Sequence, residues 1–249
     1  WDSSVSGKVV GQAQTASSGD PAFLYSNGAI TDLFPGSIGY SCATSINGSG
    51  QIAGYAPDQY GEPQAFLYSN GTVNSFVSGC WCSYAWDIND LGDVVGQYDS
   101  GAFVYSDGNL VDLGMLAGYD YMNATGINGS RTIVGTADKN NGPSRAFLIT
   151  NGWQFGFGQI VDLGTLGGSS TAEAINGFNE VVGSSYTGGA THAFLYSAGI
   201  MTDLNTLLEA SSSGWTLWSA TDINDNGWIV GQGVNPSGET HAYLAIPTP

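Results

Sequence analysis

The sequence predicts an all-β fold, a six-bladed propeller of four-stranded antiparallel blades, and three observations predict it. A segment reading Ala-Phe-Leu-Tyr-Ser-Asn-Gly at Ala22 to Gly28 returns at Ala65 and, with variations, at Ala102, Ala146, Ala193 and Ala242. Ahead of each copy lies a short apolar run ending in glycine, at Gly11, Gly54, Gly96, Gly135, Gly183 and Gly231, so the period is about 40 to 48 residues. No stretch carries helical periodicity with caps over three turns; Leu204 to Ala210 is the single candidate for a short helical piece.

Each unit holds four short runs, here a to d in chain order. Run a is Ala-X-X-Ile-Asn, ending at Asn47, Asn89, Asn128, Asn176 and Asn224; run b is the Gly-X-Val-Val-Gly type; run c is the Ala-Phe-Leu-Tyr type; run d ends in Asp-Leu at Asp32, Asp112, Asp162 and Asp203, with Ser75 in the second unit. Alternation and β-branched or aromatic content make all four strands. The a-to-b link is Asn-X-X-Gly and the c-to-d link is of the Asn-Gly type, both tight-turn chemistry. Short a-to-b and c-to-d turns against variable b-to-c loops and long d-to-a crossovers make a the innermost strand and d the outermost. Antiparallel order then puts the two variable loop types on one face, where function is expected.

The ends follow the same template. Residues 1 to 11 align without a gap to 86 to 96, so the first blade begins within its own strand a. The last unit closes on Tyr243, Leu244, Ala245 and Ile246, then Pro247-Thr248-Pro249, with a to c and no d. Either the sixth blade is three-stranded or its outer edge is completed by something else; an open edge there is a docking or assembly site. The whole is expected to be a single domain, with repeats over 1–40, 41–82, 83–120, 121–168, 169–214 and 215–249.

Four Lys or Arg against 21 Asp or Glu give a formal charge of -17, which opposes nucleic acid and anionic membrane surfaces. No apolar run reaches the roughly 18 residues a spanning helix needs, so no membrane insertion is expected. Cys42, Cys80 and Cys82 are odd in number; one disulfide from Cys42 to either of the other two is expected. Three thiols without a nearby His are not a usual zinc set, so no cofactor is expected, although the acidity leaves room for weak calcium binding. Scarce Lys, four Asn-X-Ser/Thr triplets at Asn47, Asn70, Asn123 and Asn128, and abundant Gly, Ser and Thr suit a secreted chain.

The triplet Thr191-His192-Ala193-Phe194-Leu195-Tyr196, matched at Thr240-His241-Ala242-Tyr243, together with the Ala-X-X-Ile-Asn, Gly-X-Val-Val-Gly and Asp162 to Gly168 elements, resembles the bacterial extracellular repeats of the HAF family, named for His-Ala-Phe. The other copies depart at the first position, with Pro21, Gln64, Gly101 and Arg145. The resemblance covers nearly the whole chain and implies a secreted or surface-exposed bacterial repeat protein without assigning a reaction.

Repetition argues against catalysis, because a catalytic group needs one place with distinct partners. His192 and His241 share one repeat position and the run-d acids recur, so structural roles are expected for both. No nucleophile elbow, zinc-protease motif or phosphate loop occurs. Acids on the variable loops, Asp58, Glu62, Asp99, Asp120, Asp138, Glu209 and Glu239, are the candidates for a carbohydrate-active enzyme. Aromatics outside the repeat pattern, Tyr60, Trp81, Tyr84, Tyr98, Tyr119, Tyr121, Tyr186, Trp215 and Trp218, are the candidates for stacking on sugar rings. The expected function is a non-enzymatic extracellular module that assembles with itself, as oligomer or filament, or binds surface polysaccharide or protein; a lectin-like or carbohydrate-active propeller is the alternative.

Overall fold

The computed structural model describes residues 2–4, 6–14, 20–35, 39–77, 79–150, 158–212 and 214–248. Trp1, whose match to Trp86 helped to align the first blade, and Pro249 lie outside them. The described chain is six antiparallel sheets and two short 3-10 turns, Leu204–Leu207 and Ala210–Ser212. Each sheet draws its strands from one repeat, in the order a-b-c-d. The first has β1 (Asp2–Ser3), β2 (Val9–Gln12), β3 (Ala22–Ser26) and β4 (Ala29–Asp32); the second β5 (Cys42–Ile46), β6 (Ile52–Pro57), β7 (Pro63–Ser69) and β8 (Thr72–Ser75); the third β9 (Ser83–Ile88), β10 (Val94–Tyr98), β11 (Gly101–Ser106) and β12 (Asn109–Asp112). The fourth has β13 (Tyr121–Ile127), β14 (Ile133–Asp138), β15 (Arg145–Ile149) and β16 (Ile160–Asp162); the fifth β17 (Ser170–Ile175), β18 (Val181–Tyr186), β19 (Thr191–Ser197) and β20 (Ile200–Asp203); the sixth only β21 (Thr216–Ile223), β22 (Ile229–Val234) and β23 (Thr240–Ala245). Contacts divide the chain into two compact units, Trp1–Gly114 and Met115–Pro249, each with three of these blades.

The repeated residues are explained by a small set of contacts. In five blades strand a carries a one-residue bulge, at Thr44, Trp86, Thr125, Glu173 and Thr221, where the ladder register shifts, and β21 carries a second at Trp218. The bulge presses a strand-a carbonyl onto the glycine that ends the b motif: a Cβ on Gly54, Gly96, Gly135, Gly183 or Gly231 would lie within 2.1 Å of it. The aromatic ring of run c covers the same glycine, with Phe66, Phe103, Phe147, Phe194 and Tyr243 the next atoms met. Bulge, glycine and ring are one packing unit.

The Asn of run a closes its own turn and ties it to the next blade. Asn176 Oδ1 accepts from the amides of Phe178 and Glu180, each at 3.0 Å, while its Nδ2 donates to the Asn224 carbonyl at 3.2 Å. Asn128 reaches the Asn176 carbonyl in the same way, and Asn47 the Asn89 carbonyl. Asn47 and Asn128, two of the four glycosylation triplets, are therefore buried and committed to structure. A second tie runs between blades at the c strand: the amides of Ala22, Ala65 and Ala146 donate to the hydroxyls of Ser41, Ser83 and Ser170. The c-to-d hairpins turn on left-handed pairs such as Asn70 (φ 52°) and Gly71 (φ 83°).

The expected disulfide is absent: Cys42, Cys80 and Cys82 are all free. Cys42 begins strand a of the second blade opposite Tyr55, and the Tyr55 ring meets Tyr84, the counterpart of Cys42 in the third blade, at 4.9 Å. Cys42 thus lies beside a pair of touching rings, while the Cys80 thiol faces the Gln64 side chain at 3.9 Å, a relation that odd-cysteine counting does not reveal. Burial pushes the Cys42 and Cys80 thiols above their ordinary range.

Candidate functional site

The run-d aspartates turn the chain out of each blade. Asp32, Asp112, Asp162 and Asp203 accept through Oδ1 from the amide two residues on, at 2.8, 2.7, 2.8 and 2.9 Å. This is the turn support expected of them. In three of them the second oxygen takes a donor from strand c or the end of strand b: His192 Nδ1 at 2.6 Å from Asp203, Arg145 Nε at 3.5 Å from Asp162, and the Tyr98 hydroxyl at 2.7 Å from Asp112. Tyr98 substitutes where the repeat supplies only Gly101. Its burial, and the carboxylate it bonds, push its phenol up to about 12. Partial burial alone would raise the Asp203 carboxyl, but the His192 and Asn205 hydrogen bonds hold it below its ordinary value. The residue after each Asp, Leu33, Leu113, Leu163 or Leu204, is buried; the first three donate their amides to the run-c alanine carbonyls of Ala22, Ala102 and Ala146.

Among the described residues the sixth blade lacks this closure. β23 is the edge of a three-stranded sheet, and its Ala242 is exposed where Ala22, Ala65, Ala102, Ala146 and Ala193 are all 0% accessible. Leu244 and Ile246 are also exposed, against a buried Val104 and Leu148 at the place of Leu244. Behind the edge lies a cavity of about 670 Å³, walled by Leu195, Leu207 and Leu208 of the fifth blade and its exit, by Trp215, Leu217 and Ile229, and by Tyr243 to Thr248. Two features leave it open among the described residues: no fourth strand pairs with β23, and Ala245 stands at the position of Tyr25, Tyr68, Tyr105 and Tyr196. His241, the counterpart of His192, has no aspartate opposite; its Nε2 lies 3.6 Å from Glu239 and its ring 6.2 Å from Trp215. The phenol of Tyr243 donates to the Ser219 carbonyl at 3.0 Å, and burial raises its pKa. Tyr243, Leu244 and Ala245 lie in β23 and Ile246 directly follows it.

The nine candidate aromatics divide between the two units. In the first, Trp81 and Tyr60 stand out at 82% and 80% exposure, Tyr84 stacks on Trp86 at 5.5 Å, and Tyr98 is occupied by Asp112. In the second, Tyr121 and Tyr186 are exposed at strand ends, Tyr119 is half-buried in a crossover, Trp218 is half-buried in β21 and Trp215 alone lines the cavity. Loop carboxylates are largely hydrogen-bonded, some by their own turn and some by a neighbouring loop: Asp58 accepts from the amides of Tyr60 and Glu62, Asp138 from the Ser144 hydroxyl and Glu239 from the Asn235 side chain, while Asp99 accepts from the Trp81 amide and Asp120 from the Asn140 amide. Glu209 lines the cavity. Among the described residues no three His, Cys, Asp or Glu side chains converge as metal ligands.

No family model and no curated protein matches the sequence. Solved structures do resemble it. TolB from Acinetobacter baumannii superposes with a TM-score of 0.54 at 15% identity, over 80% of this chain and 51% of that one. The putative TolB from Agrobacterium tumefaciens gives 0.49 at 13% identity over 92% and 86%, and the β-propeller domain of the Trilobed protease from Pyrococcus furiosus 0.48 at 6% over 98% and 94%. The fold is a β-propeller. The chain spans about half the length of the Acinetobacter TolB, and at this identity the likeness extends to fold alone. No described helix is long and apolar enough to cross a membrane.

Sequence reasoning named Ala245 as part of the edge but not as a wall of a cavity, and it did not pick out Leu195, Leu207 and Leu208. The available clue was Ala245 itself, which breaks a tyrosine found in four of the other five copies.

Proposed function

We propose that this chain is a non-catalytic, secreted binding module of the bacterial surface or matrix, which engages polypeptide by strand addition at the open edge of its sixth blade. The observation that carries the reading is the exposure of Ala242, Leu244 and Ile246 on a strand with no outer neighbour among the described residues, beside an apolar cavity of about 670 Å³. In strand addition the backbone supplies affinity and pockets supply selectivity, and this edge offers both. The HAF-like repeat and the acidic, lysine-poor composition support an extracellular setting. Asp58, Asp99, Asp120, Asp138 and Glu239 are engaged as hydrogen-bond acceptors of loop groups, which supports binding over hydrolysis.

Self-assembly uses the same edge and differs in outcome. The test is a random-peptide display library panned against the protein and against Leu244→Pro, with light scattering of both. Proline removes the outward amide of Leu244, which an edge strand tolerates. Enrichment on the parent lost in the variant supports strand addition to a partner; a parent oligomer that Leu244→Pro returns to monomer supports self-assembly. A monomer that enriches nothing refutes the reading. Trp81 and Tyr60 support a second reading, a glycan surface in the first unit, and a glycan array with Trp81→Ala as control tests it.

A further inference from the structure

We infer that the variable-loop face of the first unit binds an extended, uncharged polysaccharide, whose sugar rings stack on Trp81, Tyr60 and Tyr40. This rests on the glycan reading of that unit given above and supplies it with a site and a ligand class. It does not involve the sixth blade.

The second blade gathers the three rings. Tyr60 lies in the loop between β6 and β7, and the crossovers into β5 and β9 carry Tyr40 and Trp81, each two residues ahead of its strand. One crossover is tied to the β7 stem of that loop, since Gln64 Nε2 donates to the Trp81 carbonyl at 3.5 Å. The other leans on the β6 stem: a Cβ on Gly39 would come 2.9 Å from the Pro57 ring. Besides burial, Cys82 of the Trp81 crossover and Glu62 of the loop both raise the Tyr84 phenol, so the two segments converge near it. Tyr40 and Trp81 lead into strands of neighbouring sheets, which pack about 10 Å apart, a spacing suited to a chain of several rings and not to one.

These rings do nothing for the fold, yet their backbones are fixed. Trp81, Tyr60 and Tyr40 are 82%, 80% and 68% exposed, and none of the three side chains makes a ring contact, hydrogen bond or ion pair among the described residues. The Trp81 amide nevertheless donates to Asp99 Oδ1 at 3.0 Å, and the Asp99 amide donates to the Cys82 carbonyl at 3.0 Å. The amides of Tyr60 and Glu62 share Asp58 Oδ1 at 2.8 and 3.0 Å. Next to Tyr40, the buried Ser41 donates its amide to the Asp20 carbonyl at 3.2 Å, and its hydroxyl accepts the Ala22 amide at 2.8 Å. Rings held out on a fixed backbone bind without the cost of ordering a loop.

The surroundings select a sugar. Residues 39–41, 58–62 and 79–83 contain no Leu, Ile, Val or Phe, whereas a protein-binding hot spot sits within a contiguous apolar patch. Isolated rings among polar groups match a pyranose, which has an apolar C–H face to stack and a hydroxyl edge to bond. The Glu62 carboxylate and Asp99 Oδ2 have no hydrogen-bond partner among the described residues and can accept hydroxyls, while the second N–H of Gln64 Nε2 can donate to one. Between residues 1 and 114 eleven Asp or Glu stand against Lys8 alone, so chains bearing uronate or sulfate are repelled.

The probes are laminarin, dextran, galactomannan and hydroxyethyl cellulose as uncharged polymers, chitosan oligomers as a cationic one and alginate as an anionic one. Each is cast into native gels and titrated against tryptophan fluorescence, with the parent protein, Trp81→Ala, Tyr60→Ala and Tyr40→Ala. At least one uncharged polymer is expected to retard the parent, equally at about 10 mM and about 500 mM sodium chloride, and alginate is not. Trp81→Ala should weaken that binding by at least about tenfold, and Tyr60→Ala and Tyr40→Ala by about threefold each, with the thermal midpoint unchanged in all three. Binding of an uncharged polymer that survives all three substitutions overturns this site and leaves a glycan surface elsewhere standing. Binding of chitosan alone, lost in salt, overturns the uncharged class. No binding to any polymer overturns this inference and the glycan reading together, and leaves strand addition to its own test.

Discussion

A glycine and an aromatic ring explain more of this molecule than any other pair of residues. Gly135 sits where a Cβ would come 2.0 Å from the Asn123 carbonyl and 2.7 Å from the Phe147 ring. Gly135→Ala is expected to cost about 2 kcal/mol or more of unfolding free energy in chemical denaturation, since backbone and ring must both shift. A cost below about 0.5 kcal/mol would show that the strand relaxes freely. At the same scale, Asp203 is held below its ordinary pKa by His192 and Asn205. A depressed carboxyl contributes stability above its unfolded pKa and loses it as pH falls through the folded value. The stability difference between the parent and Asp203→Asn should therefore shrink between about pH 6 and about pH 3, as urea titrations at each pH would show. The turn role of the aspartates was legible in the sequence because their spacing to the following residue is local. The His192 contact was not, because it depends on strand register.

Strands are where the sequence read best. Alternation, paired turn residues and the repeat placed all four runs of each blade, and the missing strand of the sixth was visible as a missing Asp-Leu. The bulges at Thr44, Trp86, Thr125, Glu173 and Thr221 were not legible, since a register shift leaves no fixed residue type in the sequence even though the three threonines bond strand carbonyls there, and the disulfide expectation failed because pairing depends on side-chain direction. Bonds between blades were equally hidden. Ser83 lies fully buried and accepts the Ala65 amide at 2.9 Å. Ser83→Ala leaves that amide unpaired and should lower stability by about 1 to 3 kcal/mol. Threonine at the same place keeps an acceptor, so a thermal midpoint for Ser83→Thr no higher than that for Ser83→Ala would contradict the assigned role.

At the scale of the molecule, a formal charge of -17 acts on every folded property. Only four Lys or Arg oppose 21 Asp or Glu, so self-repulsion in the compact state exceeds that in the expanded chain. Added sodium chloride, from about 10 mM to about 500 mM, should raise the thermal midpoint as screening grows. A falling midpoint would mean that the few ion pairs outweigh the repulsion. The same charge makes a backbone-mediated partner natural, since strand addition binds without requiring a basic surface. What the sequence could not supply was the cavity behind the edge, which arises only when the fifth blade's exit folds beside β23.

The most direct test of the open edge is amide hydrogen exchange at Leu244 and Ile246, read residue by residue with and without a peptide enriched from the display library. Both amides should exchange rapidly in the free protein, while their counterpart Leu195 in the completed fifth blade is protected. Saturating peptide should then slow both by at least about tenfold and leave Leu195 unchanged. Protection at Leu244 and Ile246 already equal to that at Leu195 in the free monomer, or no slowing under saturating peptide, would contradict the account.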